Sequence, residues 1–180
     1  ASDVYKRQRV AKGRPLINLI NLDEGERITS LLNVESFEEP GFVFMATKKG
    51  VVKKTSLDEF KRQWKVGKKA IKLDPDDELV GSTLTDGEKF IMLVSQSGKA
   101  VFFDEKEARS MGRAARGVKG INLGKGDQVI SLLVPEKENT IFTVSENGYG
   151  KRTNVDDFRK TRRGAKGCLL YTSDAADDAG

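Results

Sequence analysis

The sequence repeats itself with a period of about fifty residues, and such a period confines a chain to an array of similar units. Three segments open alike, with an apolar pair and then an acidic or glycine-bearing turn: Ile20-Asn21-Leu22-Asp23-Glu24-Gly25-Glu26, Ile71-Lys72-Leu73-Asp74-Pro75-Asp76-Asp77 and Ile121-Asn122-Leu123-Gly124-Lys125-Gly126-Asp127. Their leucines lie 51 and 50 residues apart. Each opening leads into one apolar stretch (28–32, 79–84, 129–134) and then a second (43–47, 90–94, 141–144). A glycine turn follows at Lys49-Gly50, Ser97-Gly98 or Asn147-Gly148, and then a return stretch (51–55, 99–103, 149–153). A short polar segment (57–60, 105–108, 155–158) and a basic, glycine-bearing loop (62–69, 109–119, 159–166) close each unit.

Short apolar runs between turn signals predict strands, and no segment carries a long helical period. The glycines predict two-residue hairpin turns, which need positive φ, most strongly at Asn147-Gly148. The polar segments suit a single helical turn. Together these features predict an all-β chain of propeller-like repeats. A blade packs its apolar face on its neighbours, so one repeat alone would be unstable. Three are too few to close a ring, which predicts about three blades of a larger array. Phe42, Phe44, Phe90, Phe102 and Phe142 fall in strand patterns and are expected in the core.

Composition excludes several classes of function. The 180 residues include no histidine and one cysteine, Cys168. This rules out a His/Cys metal site, an internal disulfide and imidazole chemistry. No run approaches the roughly 20 apolar residues of a membrane helix. Thirty-two Lys and Arg against 27 Asp and Glu, net +5, favour a polyanionic partner. Residues 1–8 (ASDVYKRQ) and 168–180 (CLLYTSDAADDAG) resemble translated adapter sequence and are set apart as non-native, leaving a core at 9–167. The head contributes +1 and the tail −3, so that core carries +7. A reducing, cytoplasmic setting fits a core without cysteine.

The basic residues recur at the same places in the repeat. Lys48, Lys49, Lys53 and Lys54 surround the first hairpin, and Lys151 and Arg152 follow the third. The closing loops carry Arg62, Lys65, Lys68 and Lys69, then Arg113, Arg116 and Lys119, then Arg162, Arg163 and Lys166. In a radial array, equivalent positions share one rim, and a rim of evenly spaced cations fits a curved duplex. These sixteen residues are the candidate DNA contacts. Contacts of this kind position DNA without reading its sequence. The competing reading is that such charges only solvate loops.

Four segments carry a family resemblance: Gly13-Arg14-Pro15-Leu16-Ile17-Asn18-Leu19, the run from Phe44-Met45-Ala46-Thr47 to Val52-Lys53-Lys54-Thr55, Gly112-Arg113 through Arg116-Gly117-Val118-Lys119-Gly120-Ile121, and Asn147-Gly148-Tyr149-Gly150-Lys151-Arg152-Thr153. They resemble the C-terminal domain of the A protein of bacterial DNA gyrase, along the whole of residues 9–167. The resemblance implies a β-pinwheel with strands swapped between neighbouring blades and double-stranded DNA bent around the rim. It also implies a nucleoid-associated A2B2 enzyme, built with the gyrase B protein, that supercoils DNA negatively. That enzyme would use ATP and Mg²⁺ through other domains and the partner protein; this segment would need no cofactor and hold no catalytic residue. Thr161-Arg162-Arg163-Gly164-Ala165-Lys166-Gly167 is similar to the family's Q-R-R-G-G-K-G box but departs at Thr161 and Ala165.

Other readings are weaker. Gly148 to Thr153 lacks the P-loop's first glycine, since Ser145 stands there. Asp74 to Glu78 lacks the glycine and the glutamate of a calcium loop, with Leu79 and Thr85 at those places. Tyr149 has no accompanying base or metal cluster, and Trp64 suits packing better than base stacking. The rivals in function are the equivalent domain of topoisomerase IV and a protein-binding propeller, whose Trp-Asp or Gly-Gly signatures are missing.

Overall fold

The computed structural model describes residues 25–62 and 67–170. Ten strands run in order: β1 (Phe42–Thr47), β2 (Val51–Ser56), β3 (Leu79–Thr85), β4 (Phe90–Ser95), β5 (Lys99–Asp104), β6 (Val118–Lys119), β7 (Val129–Leu133), β8 (Thr140–Val144), β9 (Gly150–Asn154) and β10 (Cys168–Leu169). The polar segments form 3-10 turns at Leu57–Phe60, Glu105–Glu107 and Val155–Asp157. The chain is all-β and propeller-like, as its period predicts.

Sequence neighbours make only the inner hairpin of each sheet. The first sheet has the order β3-β1-β2-β6 and the second β10-β5-β4-β7, with antiparallel neighbours throughout. In both, one outer strand is the first apolar stretch of the next repeat, and the other is the end of that repeat's closing loop (β6) or the residues just after it (β10). The third hairpin, β8-β9, has only two strands among the described residues. The expected strand at 28–32 is coil, and Ile28 and Leu31 are 40% and 79% exposed. Its counterparts β3 and β7 pair with the hairpin of the repeat before them, and no such hairpin stands before it among the described residues. Cys168 and Leu169, set apart on sequence grounds, pair with Ala100 and Lys99. Main-chain pairing asks little of side-chain identity.

Side-chain alternation explains the core. Ile91 and Leu93 on β4, with Val101 and Phe103 on β5, face Phe44, Ala46 and Val52 of the first sheet. Met92 and Val94, with Ala100 and Phe102, face Val155, Ile141 and Phe158 beneath the third hairpin. The middle sheet is therefore covered on both faces, which is why its strands read as unbroken apolar runs. Phe142, expected in the core, is 67% exposed, because it lies on the face opposite Ile141, which no further sheet covers among the described residues.

The hairpin turns differ from the expected two-residue form. The N–H of Gly50, Gly98 and Gly148 donates to the carbonyl three residues earlier, at 2.9, 3.0 and 3.0 Å. Glycine thus ends the turn, in the left-handed region at φ 82°, 76° and 84°. Asp76 is the one non-glycine residue of positive φ among the described residues, so Asn147 does not supply the positive angle a two-residue type I′ turn needs. A carboxylate from the next repeat clamps each of the first two turns. Asp77 Oδ1 accepts the Lys49 N–H at 2.9 Å, and Asp127 accepts the Ser97 N–H at 3.0 Å and its hydroxyl at 2.7 Å. Burial opposes the charge on Asp127, yet hydrogen bonds from Ser97, Ser95 and the Gln128 N–H hold its carboxyl below the ordinary range.

Candidate nucleic-acid interface

The second and third closing loops have one geometry. In the second, the Met111 N–H donates to Lys54 O at 2.8 Å, Ala115 to Gly112 at 3.1 Å, and β6 then pairs with β2. In the third, Thr161 donates to Phe102 O at 2.7 Å, Ala165 to Arg162 at 3.2 Å, and β10 pairs with β5. Gly117, at φ 105°, permits the approach: a Cβ there would lie 2.5 Å from Val52 O. Each loop is bonded to the start of the repeat that follows the previous loop. Lys72 N–H donates to Ala115 O at 3.2 Å, Asn122 to Ala165 O at 2.8 Å and Gly164 to Gly120 O at 2.7 Å. The closing loops therefore stand in one row.

Cations project from this row. Arg62, Lys69, Arg116, Lys119, Arg162 and Lys166 are exposed. Arg116 faces Asp74 at 3.1 Å, and Lys119 Nζ donates to Asn122 Oδ1 at 3.3 Å. Arg162 and Lys166 have no ion-pair partner among the described residues and, with Arg159 and Lys160, line an open groove of about 490 Å³. Lys65 lies outside the described residues, as do Trp64 and Gly13 to Leu19.

A family model described as DNA gyrase C-terminal domain, beta-propeller, matches residues 3–35, 41–86, 89–136 and 139–167. The chain belongs to that family. The A protein of DNA gyrase from Escherichia coli (strain K12) is 51% identical to it over 161 residues, which is 89% of this chain but 18% of the relative. Among solved structures, the C-terminal domain of DNA topoisomerase IV superposes with a TM-score of 0.81 at 32% identity. The DNA gyrase A C-terminal domain does so with 0.77 at 27%. The chain covers 52% of each, and 92% and 87% of it are matched.

Within this gyrase-family fold, two of the hairpin cations lie inside the protein. Lys53 is fully buried, with Nζ donating to Ala70 O at 2.6 Å and to Arg113 O. Lys54 is also buried. Its Nζ donates to Glu105 O at 3.0 Å, lies 3.8 Å from Glu105 Oε2 and sits over the Phe42 ring. Neither can reach a phosphate, because the second repeat folds over the first hairpin. Lys48 lies 3.7 Å from Glu78, and Lys49 Nζ donates to Pro75 O at 2.8 Å, so the acidic turn beside them holds both. Lys68 Nζ donates to Glu59 O at 3.3 Å. Two loop arginines are also committed to the protein: Arg113 to Glu59 at 3.6 Å, and Arg163 to the carbonyls of Glu107 and Lys119 at 3.0 and 2.6 Å. Lys151 and Arg152 occupy the repeat positions of Lys53 and Lys54 but are exposed, since no outer strand covers the third hairpin among the described residues.

The residue that sequence reasoning missed is Glu105. It is fully buried and accepts the Thr85 hydroxyl at 2.7 Å and the N–H groups of Gly87 and Lys89 at 3.0 and 2.8 Å. Its signal was a carboxylate where the other repeats carry Leu57 and Val155. Removing one partner of a buried pair strands the other, so Lys54→Met is expected to cost about 3 kcal/mol in urea unfolding.

Burial, with the Arg113 guanidinium adding and Glu59 opposing, pushes the Lys53 pKa from 10.5 down to about 8. The unfolded chain then holds that proton more tightly than the folded chain between the two values. This component of stability is therefore low below pH 8 and rises as pH goes from about 8 to 10.5. Lys53→Met is expected to lack this rise, so wild type should gain on the variant across that window in urea titrations.

Proposed function

We propose that this chain is a non-catalytic segment of the A protein of DNA gyrase that binds double-stranded DNA and wraps it, in the bacterial cytoplasm and against the nucleoid. The observation that carries this reading is the row of closing loops, the second and third each hydrogen-bonded to the chain just after the loop before, with Lys69, Arg116, Lys119, Arg162 and Lys166 facing solvent. Arg62 extends the set, and Lys151 and Arg152 add exposed charge. Duplex DNA carries a charge for about every 1.7 Å of its axis, so a row of cations can follow it and release counterions at each phosphate. Backbone contacts of this kind favour sequences that bend easily rather than a fixed base pattern.

The topoisomerase activity lies in the longer protein. There the segment would serve an A2B2 assembly with the gyrase B protein, and ATP and Mg²⁺ would act through other domains. The equivalent role in topoisomerase IV is the second reading, favoured by the superposition on that enzyme's C-terminal domain. Sequence identity to the gyrase A protein supports the first, and an intact Q-R-R-G-G-K-G box in the longer protein would separate them.

Reversing Arg162 and Lys166 to Glu is expected to weaken binding to all duplex sequences alike. It should also reduce the log–log salt slope by about 0.9 for each phosphate no longer neutralised. A loss confined to one sequence, or an unchanged slope, would remove these loops from the DNA path.

A further inference from the structure

Arg163 ties two successive closing loops together. Its main-chain N–H donates to Glu107 Oε2 at 2.9 Å, its Nε to Glu107 O at 3.0 Å and its Nη1 to Lys119 O at 2.6 Å. Glu107 ends the 3-10 turn of the second repeat, and Lys119 ends that repeat's closing loop. One residue of the third repeat therefore bridges both ends of the loop before it. Fifty residues earlier Arg113 Nε lies 3.6 Å from Glu59 Oε2 in the first repeat's turn, an ion pair without the two carbonyl hydrogen bonds of Arg163. There the Arg113 carbonyl also receives Lys53 Nζ.

We propose that Arg163 is a positioning residue for DNA. It fixes the spacing between one basic loop and the next, and so the path of a bound duplex, without itself holding a phosphate. The proposal rests on the DNA-wrapping reading above. A planar guanidinium bonded at two edges sets both distance and angle, which an ammonium on a flexible stem does not. Lys119 and Lys166 lie on the two loops so joined. Smooth bending stores elastic energy in DNA. A loosened joint would let the duplex straighten while each loop kept its own hold on phosphate.

The test uses the whole chain, as wild type, Arg163→Ala and Arg163→Lys, with two readouts. The first is the salt dependence of binding to a duplex of about one helical turn, ~10 bp. The second is the linking difference trapped when a nicked plasmid saturated with protein is sealed by ligase. Both variants are expected to keep the short-duplex affinity and its salt slope, and both to lose trapped linking difference. A slope lowered by about 0.9 in Arg163→Ala but not in Arg163→Lys would make Arg163 a phosphate ligand and overturn the proposal. So would variants that trap as much as wild type. A wild-type chain that binds the short duplex but traps nothing would overturn the positioning role alone. One that binds no DNA would overturn the wrapping reading with it.

Discussion

Main-chain hydrogen bonding across repeats is the constraint from which the other features follow. A two-stranded hairpin leaves two rows of unpaired N–H and C=O groups, and isolated hairpins are marginal in water. Here the next repeat supplies both outer strands, as β3 and β6 do for β1-β2 and as β7 and β10 do for β5-β4. The blades are therefore interlocked rather than merely stacked. A closing loop must reach back one full repeat, which places it against the main chain of the previous blade and leaves its polar residues facing outward.

This reach divides the basic residues into two populations. On the hairpin that the next repeat covers, the return-strand cations Lys53 and Lys54 are drawn inside and must find partners there, while Lys49 at the turn stays exposed. Lys53 finds carbonyls and Lys54 finds Glu105. On the covering loop Arg162 and Lys166 remain in solvent, while Arg163 turns back onto the protein. Residue type does not separate the two groups, since lysine occurs in both. Position relative to the following repeat does, and the third hairpin makes the point: its Lys151 and Arg152 hold the positions of Lys53 and Lys54 yet are exposed.

The period made the strands, the 3-10 turns and the loop positions legible in the sequence, because each depends on local pattern. It did not show which strands pair. A strand such as Val118–Lys119 is two residues long, pairs only through its main chain and carries no apolar run. The same blindness hid the burial of Lys53 and Lys54, whose surroundings come from Ala70, Glu105 and Arg113, seventeen to sixty residues away. The exposure of Phe142 was hidden too, since an apolar residue in a strand pattern does not show whether a second sheet will cover it. For the candidate interface, the sequence located the closing loops but not the burial of Lys53 and Lys54, for that reason.

The most direct test of the account is amide hydrogen exchange of the whole chain with and without duplex DNA. Added protection on DNA binding should fall on residues 109–119 and 159–167, with little change along β1 and β2, whose lysines face inward. Protection concentrated on the β1-β2 hairpin, with the closing loops unchanged, would contradict the division of charge on which the proposed DNA path depends.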